Sequence, residues 1–328
     1  MELVLEMKRW HLIILFTLSI LATAQAQNPP TLQIVSEDSN LPAELRYGSL
    51  KVRPVRLRPG TNIPVTIDDP DFFVFQHYVD FLGRVPDAPG LAHWTREITM
   101  CSDPANRRPG ETVESCVDRK RENTSAAFFL SAEFQNTGYF VYRLYKGTLG
   151  RMPRYDEFIP EMRQVARGIV VDNRLSPDVI NSNRMNYAMQ FVNRADFKAI
   201  YDGLSNEQFV DRLFSTTGIT PTSDERTALI DGLNSGAETR GSVVFKVIDG
   251  SQFLPNGQMA FQTRYGKAFY DKEFNAAFVL MEYFGYLRRD PDQAGYDHWL
   301  GKLNRYGNFV DAQMVRAFIV SPEYRLRF

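Results

Sequence analysis

Two stretches of this chain repeat one another almost residue for residue. The first runs Tyr78-x-x-Phe81-Leu82-Gly83-Arg84-x-Pro86-Asp87-x-x-Gly90-Leu91-x-His93-Trp94; the second runs Tyr283-x-x-Tyr286-Leu287-Arg288-Arg289-x-Pro291-Asp292-x-x-Gly295-Tyr296-x-His298-Trp299. Self-similarity on this scale marks one supersecondary unit used more than once, and it points to an array of units instead of a single wound sheet. The residues leading into each stretch fix the type of unit. Phe75, Tyr78, Val79 and Leu82 fall at i, i+3, i+4 and i+7, the stripe of an amphipathic helix, and Leu280, Tyr283, Phe284 and Leu287 repeat it.

Two weaker copies lie between. Tyr142, Tyr145 and Leu149 precede Gly150-Arg151 and Pro153, and Val210, Leu213 and Phe214 precede Pro221; Glu161 and Leu229 take the tryptophan position. The pattern therefore predicts an all-α array of about four helical units over 69–328, at about 69–136, 137–200, 204–254 and 268–328. Each unit is a helix, a proline turn, a second helix and a closing third. Asp69-Pro70 supplies the first helix start, with Asp as N-cap and Pro at the first helical position.

The closing helix carries a recurring tail: Ser131-Ala132-Glu133-Phe134, Arg194-Ala195-Asp196-Phe197, Gly250-Ser251-Gln252-Phe253 and Ser321-Pro322-Glu323-Tyr324. Where the proline turn carries Arg84, Arg151 or Arg289, the tail carries Glu133, Asp196 or Glu323; where the turn carries Ile219, the tail carries Gln252. Joint loss of both charges is what structural salt bridges between turn and tail require, since removing one partner strands the other. The alternative is two independent helix-end preferences. Trp94 and Trp299 are read as core, with each indole lying back over Tyr78 or Tyr283, so that truncation costs about 3–5 kcal/mol. Because the last unit has a neighbour on one side only, Trp299→Ala is expected to unfold that unit locally before the rest melts.

Residues 1–26 read as a secretory signal peptide: Lys8-Arg9, an apolar run from Leu12 to Leu21, and Ala24-Gln25-Ala26 before the cleavage point, with Met7 as a second possible start. No later segment has the apolar length of a membrane span, so the mature chain is expected to be exported: secreted or at the cell surface, with the periplasm open. Residues 27–68 differ in pattern from the helical region. Thr31 to Val35 and Lys51 to Leu57 alternate in polarity and are broken by Pro and Gly, which fits either a small strand pair or an extended linker.

With 38 basic and 39 acidic residues, net charge -1, the chain has no electrostatic footprint for nucleic acid. Its two cysteines, Cys101 and Cys116, fall in an insertion within the first unit. In an oxidising compartment they pair to staple that insertion, worth about 3 kcal/mol for a loop of roughly 15 residues; a metal or redox pair is the alternative.

Sites of chemistry are sparse. His77, His93 and His298 are the histidines beyond the signal segment, and two of them repeat beside tryptophans, the behaviour of structural residues. No nucleophile elbow, phosphate loop, dinucleotide fingerprint or His-Glu-x-x-His helix is present. Asp290-Pro291-Asp292-Gln293-Ala294-Gly295 resembles part of a calcium loop but lacks its closing Glu, so Asp292 is assigned to helix capping, with weak calcium binding as the alternative. No catalytic residue, metal ligand or cofactor is predicted.

Phe-Leu-Gly-Arg-x-Pro-Asp-x-x-Gly-Leu-x-x-Trp, followed by Phe-Phe-Leu-Ser-x-Glu-Phe, resembles the bacterial exported family known as domain of unknown function 4214, in repeated copies. The resemblance implies an exported helical module, often joined to immunoglobulin-like or calcium-binding extracellular domains, and carries no catalytic residue with it. Three functions stand as expectations. The first is a non-enzymatic module that binds an extracellular protein or glycan partner along a concave helical face. The others are a self-associating structural component of an envelope and an unrecognised glycan-acting enzyme with paired carboxylates.

Overall fold

The computed structural model describes residues 32–35, 44–51, 56–58 and 60–328, so the signal-peptide expectation for 1–26 lies outside the described residues. Residues 32–51 contain strands. β1 (Leu32–Val35), β2 (Glu44–Tyr47) and β3 (Leu50–Lys51) form an antiparallel sheet in that order, with Ile34 opposite Leu45 and Tyr47 opposite Leu50. The β2–β3 connection is two residues long and has Gly48 at φ +59°, the positive φ that such turns demand. This small unit stands by itself.

In the second unit, β4 (Arg56–Leu57) pairs with β5 (Pro64–Val65), after which the chain is mostly helical. α1 (Pro70–Leu82) and α2 (Ala88–Thr99) flank the first proline turn. Two 3₁₀ turns (Met100–Ser102 and Pro104–Asn106) lead to α3 (Val113–Leu130) and the short α4 (Ala132–Asn136). α5 (Gly138–Leu144) runs on as a π-helical turn (Tyr145–Leu149) and is followed by α6 (Tyr155–Val165). The hairpin of β6 (Val170–Val171) and β7 (Arg174–Leu175) precedes α7 (Pro177–Phe191) and α8 (Ala195–Tyr201). Next come α9 (Asn206–Thr217), α10 (Ser223–Ser235) and α11 (Arg240–Ile248). The hairpin of β8 (Ser251–Phe253) and β9 (Met259–Phe261) separates them from α12 (Arg264–Glu282), which continues as a second π-helical turn (Tyr283–Leu287). α13 (Gln293–Tyr306), α14 (Met314–Val320) and α15 (Pro322–Arg325) end the chain.

Two features differ from the sequence expectation. The tails are not the ends of closing helices. Ser131 and Ser321 terminate α3 and α14 and then cap α4 and α15, their hydroxyls accepting from the amides of Phe134 (3.1 Å) and Tyr324 (3.2 Å). The third tail is not helical at all: Ser251–Phe253 is strand β8, since Gly250 (φ +55°) stops the chain from continuing α11.

The second difference is long-range. The two tryptophan segments are not held apart as the ends of an open row, because α1 packs directly on the π-turn of α12, and α3 on α14. At the centre, Phe81 and Tyr286 meet edge to face at 5.5 Å, and the phenyl ring of Phe81 lies over Gly285, where a Cβ would be 2.4 Å from it. His77 Nδ1 lies 2.8 Å from the carbonyl of Phe73 and therefore carries the proton, which leaves Nε2 to accept from the Tyr286 hydroxyl at 3.2 Å. Around this contact, buried Asp80 accepts from Arg288 Nε (3.0 Å) and Arg327 Nη2 (2.8 Å). Burial works against the Asp80 charge, but Arg327 and Arg288 hold it below the usual carboxylate range. Arg288 sits at φ +52°, in the helix-ending position that Gly83 fills at φ +66° in the first segment. Its left-handed backbone costs about 1–2 kcal/mol, offset by the contact with Asp80.

One hydrophobic core runs from Ile67 to Tyr324 through all the helices from α1 onward. Deep within it, three helices are tied by a charged knot. Asp249, just after α11, accepts from Arg143 Nη2 of α5 (2.6 Å) and Arg184 Nη1 of α7 (2.8 Å), and all three side chains are fully buried.

Candidate functional site

The residues singled out in the sequence form two closely matching local arrangements. Arg84 Nε reaches Glu133 Oε1 at 2.6 Å, and Arg289 Nε reaches Glu323 Oε1 at 2.6 Å, each as a two-pronged pair. Asp87 and Asp292 cap α2 and α13, accepting from the Gly90 amide (2.7 Å) and the Gly295 amide (2.8 Å). Tyr78 and Tyr283 are buried, and each hydroxyl lies 2.3 Å from where a Cβ on Gly90 or Gly295 would stand. Glycine is required there by close approach, not by backbone angle.

Arg151 behaves differently. Its near partner is Glu157, at 2.8 Å in the same segment, while Asp196 lies at 3.6 Å and is engaged by Arg194. Glu161, at the tryptophan position of this segment, accepts from the hydroxyls of Tyr145 (2.7 Å) and Tyr187 and from Arg194. A polar hub thus stands where an indole stands elsewhere, and only the packed neighbours reveal what Glu161 does at that position.

Trp94 and Trp299 are half-buried at the edge of the core, not enclosed within it. They contact Phe128 (5.9 Å) and Phe318 (5.8 Å), with His93 and His298 edge-on at 5.0 Å. They lie in α2 and α13, helices with few buried residues, and Lys302 Nζ stands 4.9 Å over the Trp299 ring. Cys101 and Cys116 form a disulfide, Cα–Cα 5.8 Å, that closes the 3₁₀ segment against α3. Of the calcium-like segment, Asp292 is the α13 cap and Asp290 accepts from the Tyr155 amide at 2.7 Å.

No sequence motif announces a cleft of about 490 Å³ bordered by α7, α10, α11 and the start of α12. Its floor is apolar, from Met185, Leu229 and Phe245. Two ion pairs form the rim. Glu225 takes Arg264 Nη2 at 2.6 Å while its Oε2 also accepts from the Thr222 amide (2.8 Å) as the third residue of the α10 capping box. Glu238 accepts from Lys246 and from Ser242 Oγ (2.6 Å). The Arg264 pair holds Glu225 below the usual carboxylate range; for Glu238, burial acts upward but Lys246 and Ser242 outweigh it, so both are ionised at neutral pH. Between them lies Tyr265, 6% exposed, its ring packed on Phe214 at 5.3 Å. Burial first, then Glu225 and Glu238, push its hydroxyl up to about 12.

Residues 253–328 match the Domain of unknown function (DUF4214). No curated protein and no solved structure matches the chain. The DUF4214 segment supplies one wall of the cleft, Gln262 to Tyr265, and α7, α10 and α11 supply the rest. Among the described residues, no helix is long and apolar enough to cross a membrane, and no group of three or more His, Cys, Asp or Glu side chains converges to hold a metal ion.

Proposed function

We propose that this protein is a non-enzymatic, exported helical module, built from about four related units, that binds an extracellular protein or glycan partner. The observation that carries the reading is the cleft, a preformed concavity whose charged groups are all paired and ionised. A glycan-cleaving pair would need one carboxyl kept protonated beside the substrate. Glu225 and Glu238 are both held in the opposite state, and Glu282, whose burial raises it well above 4.5, is fully enclosed. The disulfide supports export to an oxidising compartment. The geometric kinship of the Trp94 and Trp299 segments supports repeated units.

The test is binding of the purified chain to isolated cell-envelope material that has been treated with protease or with periodate. Binding that survives protease and is lost on periodate oxidation assigns a glycan, and the reverse assigns a protein. No binding, together with a size-exclusion volume that shifts with concentration, would overturn the reading in favour of a self-associating envelope component.

A further inference from the structure

The cleft's chemistry narrows the class of ligand. Its rim carries two carboxylates and two cations, so it presents no net charge to a ligand and favours neither an anion nor a cation. Each carboxylate stands beside a cation that remains accessible: Arg264 is 53% and Lys246 41% exposed, against 23% for Glu225 and 18% for Glu238. Adjacent acceptor and donor groups of this kind match a hydroxyl, which donates one hydrogen bond and accepts others. Tyr265, 6% exposed and lining the cleft, adds an amphoteric hydroxyl. Beneath lie Met185, Leu229 and Phe245, an apolar floor suited to the C–H face of a ring. The volume of about 490 Å³ falls within the roughly 300–1,000 Å³ of small-molecule sites, large enough for a short ligand and too small for a folded partner.

The geometry points to a binding site for a neutral saccharide unit in the cleft between α10, α11 and the start of α12, with Tyr265, Glu225 and Glu238 as its hydrogen-bonding groups. This rests on the binding-module reading above and names the ligand class for that site. Its rim pairs exchange hydrogen bonds with vicinal hydroxyls while the floor covers the ring.

The experiment is a calorimetric and saturation-transfer titration of the full chain with four neutral probes, cellobiose, maltotriose, mannobiose and N,N′-diacetylchitobiose. Two charged comparators, digalacturonate and glucosamine, complete the set. At least one neutral probe should bind, and more tightly than either charged one. Tyr265→Phe removes only a hydroxyl, so its melting midpoint should be unchanged while affinity falls about tenfold, the loss of roughly one hydrogen bond. Glu225→Gln keeps a residue able to close the capping box and should weaken the same probe several-fold. Asn186→Ala, in the separate polar depression beside Gln164 and Gln190, should leave it unaltered. Tighter binding of a charged probe, an unaltered affinity in Tyr265→Phe, or no binding by any probe would each overturn the assignment. If envelope binding persists unaltered in Tyr265→Phe while no saccharide titrates, this site assignment falls and the binding-module reading stands; if envelope binding is also absent, both fall.

Discussion

Replacing Asp249 with Asn should destabilise this protein more than any single change at its surface. The carboxylate is fully buried and is the anion shared by two guanidiniums that are themselves fully buried, Arg143 at 2.6 Å and Arg184 at 2.8 Å. Asn keeps the shape and part of the hydrogen bonding but leaves two cations with no anion. Stranding one buried ion costs roughly 3–5 kcal/mol, and here two are stranded. Against a total stability of about 5–15 kcal/mol, the variant should lose about 1 M or more in its urea midpoint, taking a slope of ~3 kcal/mol/M. Arg143→Met is the informative partner. It removes the cation whose Nε and Nη1 have no hydrogen bond among the described residues, keeps an apolar stem between Tyr139 and Tyr270, and leaves Asp249 balanced by Arg184 and Ser251. Its cost should be only about 1–2 kcal/mol. Urea denaturation followed by far-ultraviolet circular dichroism at pH 7 measures both. If Asp249→Asn stays within about 1 kcal/mol of the parent, or Arg143→Met costs as much as Asp249→Asn, the Asp249 charge is not what holds the knot and the reasoning fails.

Other outcomes are set by the same geometry. A double-mutant cycle on Arg84 and Glu133, where Glu133 is 9% exposed, should return about 1–2 kcal/mol of coupling, whereas Arg289 and Glu323, at 42% and 48%, should return less than about 0.5 kcal/mol; equal couplings would refute the dependence on burial. Trp94→Ala and Trp299→Ala should each cost about 2 kcal/mol, below the full-burial figure, because each ring is only half-covered. Hydrogen exchange should show Trp299→Ala loosening α1 together with α12, since the two pack on one another, and not the last segment alone. Burial draws His77 down from 6.5 to about 4, so stability should fall by up to roughly 3 kcal/mol as pH drops through that window, and His77→Gln should remove the loss. Glu282 has the opposite sign. Its raised value means the folded state holds the proton, so its contribution is intact below about 4.5 and lost as pH rises; melts of Glu282→Gln between pH 5 and 8 should be flatter than the parent's.

Several features of the molecule are legible in the sequence alone, most of them local. The helical stripes, the Asp87 and Asp292 caps and the glycines after the proline turns repeat at fixed spacing, because each is set by geometry within a few turns of chain. The disulfide is legible for the same reason, as two cysteines within one short insertion. The Arg84–Glu133 and Arg289–Glu323 partners lie 49 and 34 residues apart and are legible only because the two segments can be compared with one another. What tertiary structure alone decided depends on residues far apart in sequence. Nothing near Asp80 announces Arg288 and Arg327, and nothing near His77 announces Tyr286. The Asp249 knot joins α5, α7 and α11, and the cleft with Tyr265 between Glu225 and Glu238 exists only once four helices have met. Periodicity states which face of a helix is apolar, since that comes from 3.6 residues per turn. Which other face covers it depends on the summed shape and charge of the whole core, and no window of sequence contains that sum.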